Sequence, residues 1–441
     1  MAFRRENRLQ NLLLAGTIIV LSAVLVYVFG PFLSPAASAS RVTRIHFADR
    51  ISPAYRKVIQ RFNELHRGRI EAVPVDLPFD KFSTNERKEL LARSLRSGGD
   101  KLDLFAVDLI WVQRFARWCE PLDHHVSQAE RDHIMPVALR SCYHDTTLVA
   151  LPLYLDIGLM YYRADIIGRL PDAEQVEARL RESMSWEELL ALRGRLGYES
   201  KPFYIFQADA YEGLVCNYLE LAMGQDPQFL SSNAIDLRAP AAGSALGMMV
   251  NMVRRDGLSP REVVTFDEDR SYAYALAHDG LFVRGWPNFI ENFRKSSADT
   301  SVLRHMRKAA LPHFEDRPPT SVFGGWNLML SKFSRHKSEA LELLRFFQSR
   351  EAQQMLYEID GFLPIVEEIY RDSLYVEAHP DLSFYATLLG RGFHRPARVD
   401  YTRISDILAP YLQSAIAGER TVEEAIRGAS DAINDNRAFI D

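Results

Sequence analysis

Apolar positions along this chain alternate between the period of a helix and the unbroken runs of a buried strand. Arg44–Ala48 reads as a short strand, Ala54 to His66 places Val58, Phe62 and Leu65 on one helical face with Gly68 as a stop, and Ile70–Val73 resumes as a strand. That opening βαβ unit predicts an α/β domain. Ser83 to Glu86 has the spacing of a capping box; its helix runs to Leu95 and stops at Gly98-Gly99. Leu102–Val107 is the nearly continuous apolar strand expected inside a parallel sheet, and Asp108 sits where it stops. Ligands of open α/β sheets bind beyond the carboxyl ends of strands, which puts Asp108 and Trp111 at the expected crevice. Further capping boxes are read at Ser185–Glu188, at Ser259–Glu262 with Pro260 at the first helical position, and at Thr421–Glu424.

The stretch from Ser321 to Pro364 organises the second half. Gly324-Gly325 directly before Trp326 reads as a loop that brings backbone close to a ligand and covers it with a ring. Asn327–Ser331 follows as a short strand. Ala340, Leu343, Leu344 and Phe347 then fall at helical spacing, and a second helix from Glu351 ends near Asp360-Gly361. Beyond Pro364 the chain is helical with a break at His379-Pro380, and Arg395-Pro396, Tyr401 and Ser405 precede a long amphipathic helix.

The first forty residues change the picture of where the chain works. Arg4, Arg5 and Arg8 precede an apolar run from Leu12 to Phe29, and Ala37-Ser38-Ala39 follows. The run suits either a signal peptide or an uncleaved membrane anchor, the anchor being preferred because the run is longer than a signal peptide needs. Both place the chain from about Ser40 outward beyond the inner membrane. No Cys follows closely, which argues against a lipid anchor. Removing residues 1–39 takes away three Arg and one Glu and moves the formal charge from -5 to -7, a sign that argues against nucleic acid as a partner. The remaining ~400 residues, in a chain that is 47% hydrophobic, read as globular with two lobes. Cys119, Cys142 and Cys216 permit one disulfide at most; Cys119 with Cys142 is the pairing to test, against buried free thiols.

Several strings together carry a resemblance. They are Gly324-Gly325-Trp326, then Ser334, His336, Lys337 and Ala340 at helical onset, Ser349 with Glu351-Ala352-Gln353, and Gly361 with Leu363-Pro364. Earlier come Val107-Asp108 with Trp111, Leu151-Pro152 leading through Asp156 to Tyr161-Tyr162-Arg163, and Trp286-Pro287. In this order they resemble the extracellular solute-binding proteins of sugar ABC transporters, the maltose- and trehalose-binding type, over about residues 43 to 435. The resemblance implies a two-lobe α/β periplasmic-binding-protein fold with three inter-lobe crossings, near Asp156, near Trp326 and around residues 385 to 392. Residues 1–40 would be signal peptide or anchor, 41–155 with 327–385 the first lobe, and 156–326 with 386–441 the second. It implies a monomer without cofactor or catalysis that closes on a sugar or oligosaccharide and presents it to permease subunits.

A sugar offers hydroxyls around its edge and C–H patches on its faces, so its site needs carboxylates or Arg in the ring plane and an aromatic above. Asp49, Asp108, Asp156, Arg395, Trp111, Trp286 and Trp326 are the available set. The resemblance carries Asp108, Tyr154, Asp156, Trp286, Trp326 and Arg395 over as ligand contacts, with Gly325 as the close backbone; Asp49 matches only by lying in the first loop. Asp108 could instead cap the next helix, and Trp286 before Pro287 could close a core. Asn288 and the charged Asp49-Arg50 depart from the usual pattern, which leaves room for a charged or amino sugar. Alternatives are a binder of another solute such as a polyamine, a membrane-tethered sensor, and a glycosidase using two carboxylates such as Asp108 and Asp156. His124, His125 and His133 lack the spacing of metal ligands.

Overall fold

The computed structural model describes residues 42–77, 84–98, 102–296 and 301–437. The apolar run Leu12–Phe29 and the capping serine Ser83 lie outside these. The chain runs β1 (Thr43–Asp49), α1 (Pro53–Leu65), β2 (Ile70–Asp76), α2 (Thr84–Arg96), β3 (Leu104–Asp108), β4 (Leu151–Ile157) and β5 (Leu159–Arg163). It continues through α3 (Trp186–Arg195), β6 (Tyr204–Ile205), α4 (Glu212–Gln225), α5 (Pro240–Arg254), α6 (Glu268–Ala277), β7 (Phe282–Gly285) and β8 (Met306–Ala309). The last part is β9 (Ser321–Leu330), α7 (Lys337–Phe347), α8 (Arg350–Asp360), β10 (Gly392–Phe393), α9 (Tyr401–Ala417) and α10 (Val422–Arg437), with short helices between α8 and β10.

Two sheets define two lobes. One has the order β10-β9-β3-β1-β2 with β4 also on β9; the other has the order β8-β5-β7-β6. Local chemistry explains the elements. Ser52 accepts the Tyr55 amide at 3.2 Å and Pro53 opens α1, whose buried face carries Tyr55, Val58, Ile59 and Phe62. The rings of Phe47, Tyr55 and Phe347 meet at 5.3 to 6.0 Å, joining β1, α1 and α7 into one core. Burying each such ring stabilises the lobe by about 1.5–3 kcal/mol. α8 stops at Gly361, whose φ of 74° is the left-handed cap. Thr421 and Glu424 form the expected reciprocal cap at the start of α10, as Ser185 and Glu188 do for α3.

Some expectations need correction. Gly324-Gly325-Trp326 lies inside the ten-residue strand β9, not in a loop before it. Two partner strands hold it: Phe323–Leu328 runs antiparallel to β4 and Trp326–Leu330 antiparallel to β3, with a register shift at Trp326/Asn327. After Pro260 the chain makes a 3-10 helix, Arg261–Thr265, without a side-chain cap, because the Ser259 hydroxyl donates to the Tyr204 carbonyl at 2.5 Å instead. Tyr401 and Ser405 lie within α9 rather than ahead of it. Cys119 and Cys142 are not bridged: all three cysteines are free and buried, and the Cys119 thiol lies 3.6 Å from the Met329 sulfur.

Candidate ligand-binding site

The register of β9 assembles the centre. Trp326 is opposite both Asp108 of β3 and Tyr154 of β4, and Gly324 is opposite Asp156. Asp108, and Tyr154 and Asp156 more than forty residues later, are thereby brought to one strand. Gly325 takes a φ of +129°, and a Cβ there would stand 2.5 Å from the Tyr154 carbonyl oxygen, so the close approach of β9 to β4 requires glycine.

Each lobe presents one half-buried indole, and each indole has a guanidinium over its ring. The Arg87 guanidinium lies 4.6 Å from the centre of Trp326 and is held by Asp49 at 2.5 Å, both residues being buried. The Arg284 guanidinium lies 4.1 Å from the centre of Trp286 and pairs with Glu220 at 2.8 Å. These cation–ring contacts leave the position of each indole fixed before any solute arrives. Trp286 is further set by its Nε1–H, which donates to Glu268 at 3.1 Å; the other Glu268 oxygen accepts the Tyr211 hydroxyl at 2.7 Å.

Between the indoles run the carboxylates and Arg395. Its guanidinium donates to Glu212 at 2.6 Å and lies 3.4 Å from Asp108, tying the end of β3 to the start of α4. Glu212 is in turn held by the hydroxyls of Tyr401, at 2.8 Å, and Ser405. Asp108 also accepts the Ile110 amide at 3.1 Å and so caps the turn that follows β3. Asp156 differs from all of these. Its Oδ1 is buried and accepts no hydrogen bond, and burial pushes its carboxyl well above the usual carboxylate range, helped by Asp108 and opposed by Arg284. Burial also raises the carboxyls of Asp108 and Glu268, against the pull of Arg395 and of the Tyr211 hydrogen bond respectively.

The structure therefore gathers Asp108, Asp156, Trp286, Gly325, Trp326 and Arg395. Tyr154 is adjacent, its ring stacked on Phe362 at 4.0 Å. Asp49 serves through Arg87. Trp111 is only 2% exposed and meets Trp326 edge-on at 5.4 Å, so it buttresses that indole from behind. Sequence reasoning missed Arg87, Glu212, Glu268 and Arg284. Of these, Arg284 stood beside the Trp286-Pro287 landmark, whereas Arg87 and Glu212 lie near helix starts where nothing in the sequence marks a site. Among the described residues no group of three or more His, Cys, Asp or Glu is placed to hold a metal.

Known proteins share this architecture. A maltose-bound MalE3 from T. maritima superposes with a TM-score of 0.79 at 24% identity, over 89% of this chain and 99% of that one. The sugar-binding protein MalE of Xanthomonas citri does so with a TM-score of 0.73 at 18% identity, over 90% and 99%. In sequence, a "Probable ABC transporter-binding protein" of Deinococcus radiodurans is 22% identical over 355 residues, covering 78% of this chain and 82% of that protein. Residues 48–354 match the family described as bacterial extracellular solute-binding protein. With two sheets for two lobes and that match over most of its length, the chain belongs to the bacterial extracellular solute-binding proteins.

Proposed function

We propose that the chain binds a sugar or oligosaccharide between its lobes and delivers it to the permease of an ABC transporter when the lobes close. The observation that carries this reading is the pairing of one indole from each lobe, Trp286 and Trp326, around the acceptors Asp108, Asp156 and Glu268 and the donor Arg395. Indoles match the C–H faces of a pyranose, and the carboxylates and guanidinium match its hydroxyls. The relatives named for maltose and for sugar binding support it. In this reading residues 41–155 with 327–385 and residues 156–326 with 386–441 move as the two lobes, as a monomer, outside the inner membrane, with residues 1–40 as signal peptide or anchor.

The test is a thermal-shift screen of mono- and oligosaccharides followed by calorimetry of each hit. A sugar that raises the melting temperature of the parent and fails to do so in Trp286→Ala supports the reading; a stabilising polyamine with silent sugars overturns it. The raised carboxyl of Asp156 is also the property of a general acid. Hits are therefore recovered after long incubation. Intact sugar is expected, and release of smaller sugars that stops in Asp156→Asn would make the protein a glycosidase.

A further inference from the structure

Away from Trp286 and Trp326, an open groove of about 960 Å³ lies between the end of α2, the turns that follow β3 and the start of α9. Five arginines contribute to it: Arg96, Arg114, Arg117, Arg398 and Arg403, together with Trp118. Two carboxylates answer them. Glu89 meets Arg114 at 2.8 Å and Arg96 at 3.6 Å, and Asp400 meets Arg398 at 2.7 Å and Arg403 at 3.9 Å. Five positive against two negative charges leave an excess of three, on a chain whose formal charge is -5.

The guanidinium nitrogens of Arg403 are closed off from the groove, so the accessible charge is carried by the other four arginines. Arg117 is exposed, meets no carboxylate among the described residues, and lies 5.3 Å from the ring centre of Trp118. That guanidinium lies over the indole, which keeps its edge N–H groups free for the in-plane oxygens of a carboxylate or sulfate, the substituents that an acidic sugar ring carries.

We infer that this groove is a second binding site, for an acidic saccharide. It shares no residue with the cleft between Trp286 and Trp326 and does not depend on which solute the cleft takes. The probe is trigalacturonate, titrated calorimetrically into the full chain at low and at physiological salt. Maltotriose serves as neutral control and inorganic sulfate as the free-anion control. In Arg117→Gln/Arg398→Gln the trigalacturonate affinity should fall at least about tenfold, and in the parent it should weaken steeply with salt. The charge-matched surface variant Lys57→Gln/Arg335→Gln should behave as the parent. Equal affinity in all three proteins, or displacement by sulfate at equal charge concentration, overturns the inference. So does binding that appears only with acidic peptides or anionic vesicles. Failure of every neutral sugar, with trigalacturonate binding still dependent on Arg117 and Arg398, would count against the cleft reading alone.

Discussion

The indole of Trp286 lies against Gly324 so closely that a Cβ added at residue 324 would stand 2.9 Å from its ring and 3.1 Å from the Cβ of Asp156. One methyl group therefore tests the centre of the site. Gly324→Ala should push Trp286 and Asp156 apart, at an overpacking cost of about 1–3 kcal/mol. We expect weaker solute binding by calorimetry with native circular dichroism. Unchanged affinity would mean that the solute does not touch Trp286.

Trp326 is half-buried and meets Trp111 edge-on at 5.4 Å. Trp326→Ala should weaken binding by about 2–4 kcal/mol, roughly 30- to 1000-fold, the range for truncating a central aromatic anchor. The apo melting temperature should fall less than the affinity implies. A large fall in melting temperature with parental affinity would make Trp326 a core residue.

Arg284 and Glu220 form a buried pair behind Trp286, and Gly158 is required beside it because a Cβ there would lie 1.9 Å from a Glu220 oxygen. Removing one partner leaves the other charge uncompensated. Glu220→Gln should destabilise the protein by about 3–5 kcal/mol in denaturant unfolding. The double change Arg284→Met/Glu220→Leu should recover much of that loss and still bind poorly, since Trp286 loses its guanidinium support. If the double variant is no more stable than Glu220→Gln, the pair is not what the single change breaks.

The raised carboxyl of Asp156 has a pH signature. The folded chain holds this proton more tightly than the unfolded chain, in which Asp titrates near about 3.9. Folded protein thus carries more protons than unfolded protein above that pH, so stability falls as pH rises from there to the raised folded value and is level beyond it. Asp156→Asn abolishes this loss. Its apo unfolding midpoint should exceed that of the parent at neutral pH, with the two converging below about pH 3.9, while solute binding is impaired. Parallel pH profiles would show that Asp156 is not the group responsible.

Much of this was legible in the sequence, for identifiable reasons. Strand ends such as Asp108 and Asp156 are marked by the apolar runs before them, and Trp286 and Trp326 by their Pro and Gly neighbours. The Gly324-Gly325 pair misled because paired glycines usually turn a chain. Here they let β4 and the Trp286 ring approach β9, a constraint set by Tyr154, Asp156 and Trp286 in other parts of the sequence. Arg87 and Glu212 were illegible for a related reason: a charged residue on a helix looks solvated until its distant partners, Asp49 for Arg87 and Arg395 for Glu212, are brought to it.

The three buried thiols give each half of the molecule its own probe of local opening. Burial raises the proton affinity of Cys119, Cys142 and Cys216, which keeps them as unreactive thiols in the folded chain. Cys119 packs on Met329 of the six-stranded sheet, whereas Cys216 lies inside α4, whose Glu220 pairs with Arg284 of the other sheet. An alkylating reagent can reach either only when its surroundings unfold. Rates of labelling at Cys119 and Cys216, read by peptide mass, would thus report separately how often each lobe comes apart, and a bound solute that holds both lobes should slow the two together.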